Sequence, residues 1–162
     1  MLTIPPVTLL RVYADFGRMD ALLDLIMRSF AYMNGVIDPP SSAHRLTVEN
    51  LREKCEAEIA IAAQEDDRLA GCVFLAERAD HFYLGKLAVD PALQGRGIGR
   101  LLMQEAEAMA VAAGKPVIEL QTRIELTGNQ AAFARMGFVE TGRTAHAGFN
   151  RPTSITLRKA LR

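Results

Sequence analysis

Residues Val89–Arg100, V-D-P-A-L-Q-G-R-G-I-G-R, constrain this chain more than any other stretch. An apolar run (Leu84, Leu87, Ala88, Val89) stops at Asp90-Pro91, because proline cannot donate to a sheet ladder. A glycine-studded turn follows, and then a helical pattern with Ile98, Leu101, Leu102, Ala106, Met109, Ala110 and Ala113 on one broad apolar face. Strand, small-residue turn and helix N-terminus together make a general anion site. The first-turn N–H groups have no intrahelical acceptor, and the helix dipole places partial positive charge there. Gly95, Gly97 and Gly99 let backbone approach an anion, and Arg96 and Arg100 add full positive charges.

The spacing excludes two common phosphate loops. It lacks the third glycine of the dinucleotide fingerprint, and no G-K-[ST] follows as in a P-loop. The wider string is more specific. Gln94-Gly95-Arg96-Gly97-Ile98-Gly99, preceded by Leu87-Ala88-Val89-Asp90-Pro91, resembles the acetyl-CoA signature of the GNAT superfamily of N-acetyltransferases. By that resemblance, Gln94, Gly95, Arg96, Gly97, Ile98, Gly99 and Arg100 grip the cosubstrate diphosphate. Leu87, Ala88 and Val89 then meet the pantetheine arm and polarise the thioester carbonyl.

The rest of the chain reads as one α/β domain. Strands are expected at Thr8–Ala14, Ile59–Gln64, Leu69–Ala76, Phe82–Val89, Val117–Gln121 and Ser154–Arg158. Helices are expected at Arg18–Tyr32, from Thr47, from Ile98 to the stop at Gly114, and at Asn129–Met136. Asp15 or Asp20 is the expected cap of the first helix, and Thr47 with Asn50 the capping pair of the second. The order β-α-α-β-β-β-α-β-α-β is that of the GNAT fold, a mixed central sheet flanked by helices. A single domain over residues 1–162 is expected, since 162 residues suffice for one core.

Nineteen basic residues balance nineteen acidic ones, which argues against a nucleic-acid or anionic-membrane partner. No apolar run approaches a membrane span, Met1–Pro6 does not resemble a leader, and Cys55 and Cys72 lack metal-ligand spacing. A cytoplasmic protein with reduced, semi-buried thiols is expected, and scattered histidines make no metal site. Edge strands and the C-terminal segment offer a surface for a homodimer.

Asn129-Gln-Ala-Ala-Phe-Ala-Arg-Met-Gly-Phe138 resembles the second GNAT motif, in which an asparagine starts a short helix and Gly-Phe opens the next strand. Asn129 and Phe133 are thereby implied at the cofactor. Two family features are missing. Many relatives carry a glutamate on the strand before the glycine loop, where this chain has Lys86. Many also place a tyrosine general acid four residues before the motif glycine, and here that position is Phe133.

The base is therefore sought elsewhere. Glu119, on the strand Val117–Gln121, flanks the acceptor channel by the same resemblance. His146 lies in a loop of small residues that walls the acceptor pocket in the family, and imidazole titrates near neutrality. Glu119 and His146 are the catalytic candidates, with His44 and His81 behind them. Arg143 and Arg151 are candidate partners for an acidic acceptor group. Segment Tyr32–Arg45 is expected to form a defined lip to the acceptor pocket. It has no carboxylate cluster of the kind polyamine or aminoglycoside acceptors need. The expected reaction is acetyl transfer from acetyl-CoA to a primary amine of a small molecule or peptide. A non-catalytic acyl-CoA sensor and an enzyme with another acyl donor are the alternatives.

Overall fold

The computed structural model describes residues 6–161, so the expectation about a leader rests on residues almost wholly outside the described ones. In chain order the elements are β1 (Val7–Val12), α1 (Met19–Phe30), α2 (Val48–Ala57), β2 (Ile59–Glu65), β3 (Arg68–Glu77), β4 (Phe82–Val89), α3 (Ile98–Ala112), β5 (Val117–Arg123), α4 (Thr127–Arg135), β6 (Val139–Thr144) and β7 (Ser154–Ala160). Short 3-10 turns occupy Ala31–Met33, Ser42–Arg45 and Pro91–Leu93.

The seven strands form one sheet in the order β1-β2-β3-β4-β5-β7-β6, with β4 and β5 its one parallel pair. Each face has its own core. One gathers Ile98, Leu102, Met103, Ala106 and Ala110 of α3 against Val73, Phe82, Ile118 and Leu120. The other gathers Met19, Leu22, Leu25 and Ile26 of α1, and Leu51 and Cys55 of α2, against Ala60, Cys72 and Phe74. Alternating side chains on the central strands supply both layers.

Three local expectations change. Strand β6 is missing from the expected order and is implied only by the motif in which Gly-Phe opens a strand: Val139–Thr144 is exposed at five of its six positions, so an edge strand leaves no apolar alternation to read. Helix α1 starts after Arg18, not at an aspartate cap, and no side chain caps it. Arg18 instead donates to Asp67 O at 2.6 Å and to Gln64 Oε1 at 2.8 Å, so docking on the β2–β3 hairpin sets the helix start. Both cysteines are buried, not half-buried. Burial, with a smaller contribution from Cys55, pushes the Cys72 thiol up to about 12, which leaves it inert near neutrality. The Thr47–Asn50 capping box forms as read.

No helix among the described residues is long and apolar enough to cross a membrane. No group of three potential metal-ligating side chains occurs among them either.

Candidate active site

The site begins at a break in the sheet. Strand β4 carries one residue more than β3 between the pairs Cys72–Ala88 and Phe74–Gly85, and the bulge centres on Lys86 at φ 49°. A non-glycine residue in that region is costly and marks places where sheet geometry is redirected. Beyond the bulge β4 leaves β5: the two pair only over Phe82–Leu84 and Ile118–Leu120. The Asp90 N–H donates to Ala70 O at 2.8 Å. Ladder alternation therefore turns the Leu87 and Val89 N–H groups away from β3, into the gap that β5 has vacated.

Asp90 anchors the turn that follows. Its side chain is 1% exposed and accepts from Arg28 at 3.0 Å, Arg68 at 2.8 Å and the Ala92 N–H at 2.9 Å. Burial alone would raise its pKa. The Ala92 N–H and the two guanidiniums outweigh that and hold the carboxyl below its ordinary value.

Gly95 (φ 83°) and Gly97 (φ 80°) then carry the chain into α3. No heavy atom lies within 4 Å of where a Cβ would stand on either glycine. Helix α3 has no side-chain cap and no acidic residue in its first turn. Open glycine backbone against an uncapped helix N-terminus fits the diphosphate of a coenzyme A molecule.

A cavity of about 300 Å³ runs from this loop along β4 to α4. It is lined by Leu87, Ala88, Val89, Gln94, Gly95, Gly97, Ile98, Gly99, Asn129 and Phe133, ten of the twelve residues expected at the cofactor. Arg96 and Arg100 line a neighbouring groove instead. The Arg96 guanidinium is held by both Glu65 oxygens, at 2.9 and 3.0 Å, so its charge is largely compensated there. Asn129 is not the start of its helix; α4 begins at Thr127. Its Nδ2 donates to the Tyr32 hydroxyl at 3.0 Å. Phe133 packs edge-on against Phe138 at 5.8 Å between ring centres.

A second cavity, of about 530 Å³, continues from the first. The two share Phe30, Tyr32, Leu87, Asn129 and Phe133. Segment 32–45 does form its lip, tied down where Arg123 donates to Pro39 O at 2.6 Å and Pro40 O at 3.1 Å.

His146 lines this second cavity and Glu119 does not. Glu119 Oε2 accepts from Arg158 Nε at 2.8 Å, directly across the β5–β7 ladder, and lies 3.8 Å from His81 Nε2. It is a cross-strand ion pair beyond the cleft. His81 also bonds Asp80, and His44 bonds Asn34; neither ring lines the cavity. The His146 N–H donates to Thr153 Oγ1 at 2.9 Å, and its Nδ1 bonds the same hydroxyl, which in turn faces Thr144 O at 3.4 Å. Burial, followed by Arg123 and Arg45, pushes the imidazole below its ordinary pKa and keeps it neutral at pH 7.

The charged groups lining the second cavity are Arg45, Lys54, Lys86 and Arg123; the sequence named Lys86 as a departure from the family pattern and Arg45 as the end of the lip, but none of the four as an acceptor-binding group. Arg143 is engaged by Glu140, and Arg151 by Asp38, and neither lines it. Burial, then Lys54 and Arg45, brings the Lys86 ammonium down to about 8. The polar alternation Glu119, Gln121, Arg123 along β5 is the one sequence signal that pointed to a polar face there.

Comparison with known proteins agrees with this geometry. The acetyltransferase (GNAT) family matches residues 19–138. The chain belongs to that family. This GNAT protein is 27% identical over 161 residues to the IAA acetyltransferase of Azospirillum brasilense, covering 98% of this chain and 100% of the relative. It is 28% identical over 116 residues to the peptidyl-lysine N-acetyltransferase YjaB of Escherichia coli, covering 69% and 71%. Its fold matches the paia N-acetyltransferase of Thermoplasma acidophilum, solved with coenzyme A, at a TM-score of 0.77 with 16% identity over 96% of this chain and 99% of that one. As a family member it is an acyltransferase, with acetyl-CoA as cosubstrate.

Proposed function

We propose that this GNAT protein transfers the acetyl group of acetyl-CoA to the nitrogen of a small primary amine held in the larger cavity. The observation that carries this reading is the continuity of the two cavities. One holds the glycine loop and the other His146, and they meet at Tyr32, Leu87, Asn129 and Phe133 where β4 leaves β5. The peptidyl-lysine relative supports nitrogen as the accepting atom.

Bound acetyl-CoA supplies an activated thioester. The reaction forms one C–N bond and breaks one C–S bond, so the nitrogen must lose a proton and the departing sulfur must gain one. Backbone N–H groups of Leu87 and Val89, turned into the gap, are placed to stabilise a developing oxyanion.

Loss of the proton needs no carboxylate here. Lys86, brought to about 8 by burial and neighbouring cations, supports a similar shift for an amine held in this cavity. A guest amine moved from ~10.5 to ~8 would raise its neutral fraction at pH ~7.5 from roughly a thousandth to about a quarter. His146 then accepts the proton released as the C–N bond forms. With Nδ1–H donating to Thr153, Nε2 keeps its lone pair.

Tyr32 takes the role for which Phe133 has no hydroxyl. Its oxygen accepts from Asn129 Nδ2, which leaves the phenolic proton free to pass to the sulfur.

Calorimetric titration with acetyl-CoA, followed on the same sample by thiol release and product mass with a panel of amines, tests the reading. One acetylated amine per thiol released is the expected result. Binding without release across the panel would contradict it in favour of an acyl-CoA sensor.

A further inference from the structure

We propose that the acceptor is a small amine that also carries an anionic oxygen group, a carboxylate or a phosphate, bound by Arg45, Lys54, Lys86 and Arg123. The inference rests on the acetyl-transfer reading above and narrows its substrate class.

Among the described residues, the second cavity is lined by four cationic side chains and by no carboxylate. This is unusual in a chain whose charges cancel overall. Three carboxylates stand behind the lining. Glu58 is 2.7 Å from Lys54, Glu125 Oε2 accepts the Asp38 N–H at 3.1 Å, and Asp38, whose charge also reaches Arg123, is paired with Arg151 at 3.5 Å. They cannot neutralise four cations. Lys86 donates to the Ser42 hydroxyl at 2.6 Å, and neither it nor Arg45 forms an ion pair among the described residues. Arg123 spends its bonds on two neutral carbonyls. Crowding like charges in a half-buried space is unfavourable unless something negative completes it.

The cosubstrate does not complete it. Its diphosphate cradle is the glycine loop, and no residue from Gln94 to Arg100 lines the cationic cavity. The missing charge must come with the acceptor. The same field disfavours a polycation, which excludes polyamines and aminoglycosides on physical grounds. It also accounts for amine activation: the cluster attracts the acid group at one end of the acceptor while lowering the pKa of the amine at the other.

The test separates charge recognition from turnover. Protein saturated with coenzyme A is titrated calorimetrically with matched pairs: L-amino acids of graded size against their carboxamides, and O-phosphoethanolamine against ethanolamine. In at least one pair the anionic member is expected to bind about tenfold tighter. That advantage shrinks as salt rises and disappears in Arg45→Glu, a change at an exposed side chain; Arg45→Gln serves should the reversal perturb folding. The amino-acid and phosphate pairs distinguish which anion is read. Equal or weaker binding of the anionic member in every pair, or no binding by any of them, would overturn the inference. So would an advantage that survives in both Arg45 variants. Thiol release is measured separately on the same pairs. Charge preference without release counts against acetyl transfer and leaves the anion site standing. Release favouring neutral amines or spermidine supports acetyl transfer and overturns the anion site.

Discussion

Asn129 of α4 donates through Nδ2 to the hydroxyl of Tyr32 at 3.0 Å, joining residues 97 positions apart across the mouth of both cavities. The bond orients a phenol at the cavities that Phe133 also lines. Tyr32→Phe is expected to lower kcat about tenfold with little change in acetyl-CoA affinity, a modest loss because a thiolate is already a fair leaving group. Steady-state kinetics with a calorimetric Kd distinguish this from a binding defect, and an unchanged kcat would remove Tyr32 from the chemistry.

His146→Ala should reduce kcat/KM by about a hundredfold. Wild-type kcat/KM is expected to fall at acid pH below the ordinary histidine range, because burial and Arg123 depress this imidazole. The variant should lose that histidine component and keep only the shallower limb set by protonation of the acceptor amine. Thr153→Val, which removes the hydroxyl beside Nδ1, should give a partial loss of rate with the limb displaced.

Gly97 sits at φ 80° with open space where a side chain would go. Gly97→Trp should fold with a penalty of about 1–2 kcal/mol and lose most coenzyme A affinity, since the indole would occupy the diphosphate path. Thermal melts and calorimetry report the two effects separately. Full affinity in the folded variant would mean that the turn binds no phosphate.

Glu119→Gln is expected to leave the pH profile of turnover unchanged, because the carboxylate is committed to Arg158 outside the cleft. A displaced profile would return Glu119 to the catalytic machinery.

Asp90→Asn removes a buried carboxylate from between Arg28 and Arg68. Both guanidiniums are partly exposed, so a loss of about 2–3 kcal/mol is expected, less than for a fully buried pair. The folded carboxyl lies below its unfolded value, so its contribution is fully present above about pH 4. It is lost as pH falls through the lower folded pKa. Acid unfolding of the variant should lack that component.

The fold was legible where burial is one-sided or complete. Phe82–Val89, the amphipathic α3 and its stop at Gly114 follow from apolar periodicity and glycine chemistry, and they bring the glycine loop with them. Strand β6 was not legible from periodicity, because an exposed edge carries none, and only the Gly137-Phe138 motif pointed to it. The cosubstrate half of the site is backbone geometry written in glycines, and so could be read locally. Of the acceptor half, the family resemblance pointed to His146 and segment 32–45, and both line the cavity, but the rest could not be read locally. Lys54 is an ordinary polar residue of α2, Arg123 lies two residues past the expected end of β5, and Tyr32 lies just beyond α1. Only the bulge at Lys86 and the parting of β4 from β5 bring them to one cavity. The pairing that commits Glu119 to Arg158 outside the cavity is equally non-local, a register match between β5 and β7.

In the proposed reaction the cleft, not a carboxylate, makes an amine reactive near neutral pH, and Lys86 is a probe already in place. Its Nζ titration can be followed by NMR on protein carrying labelled lysine, with Lys86→Met assigning the signal. A midpoint near 8 is the predicted result. An ordinary lysine midpoint of about 10.4 would contradict it, because the cavity would then do nothing to the amine it holds.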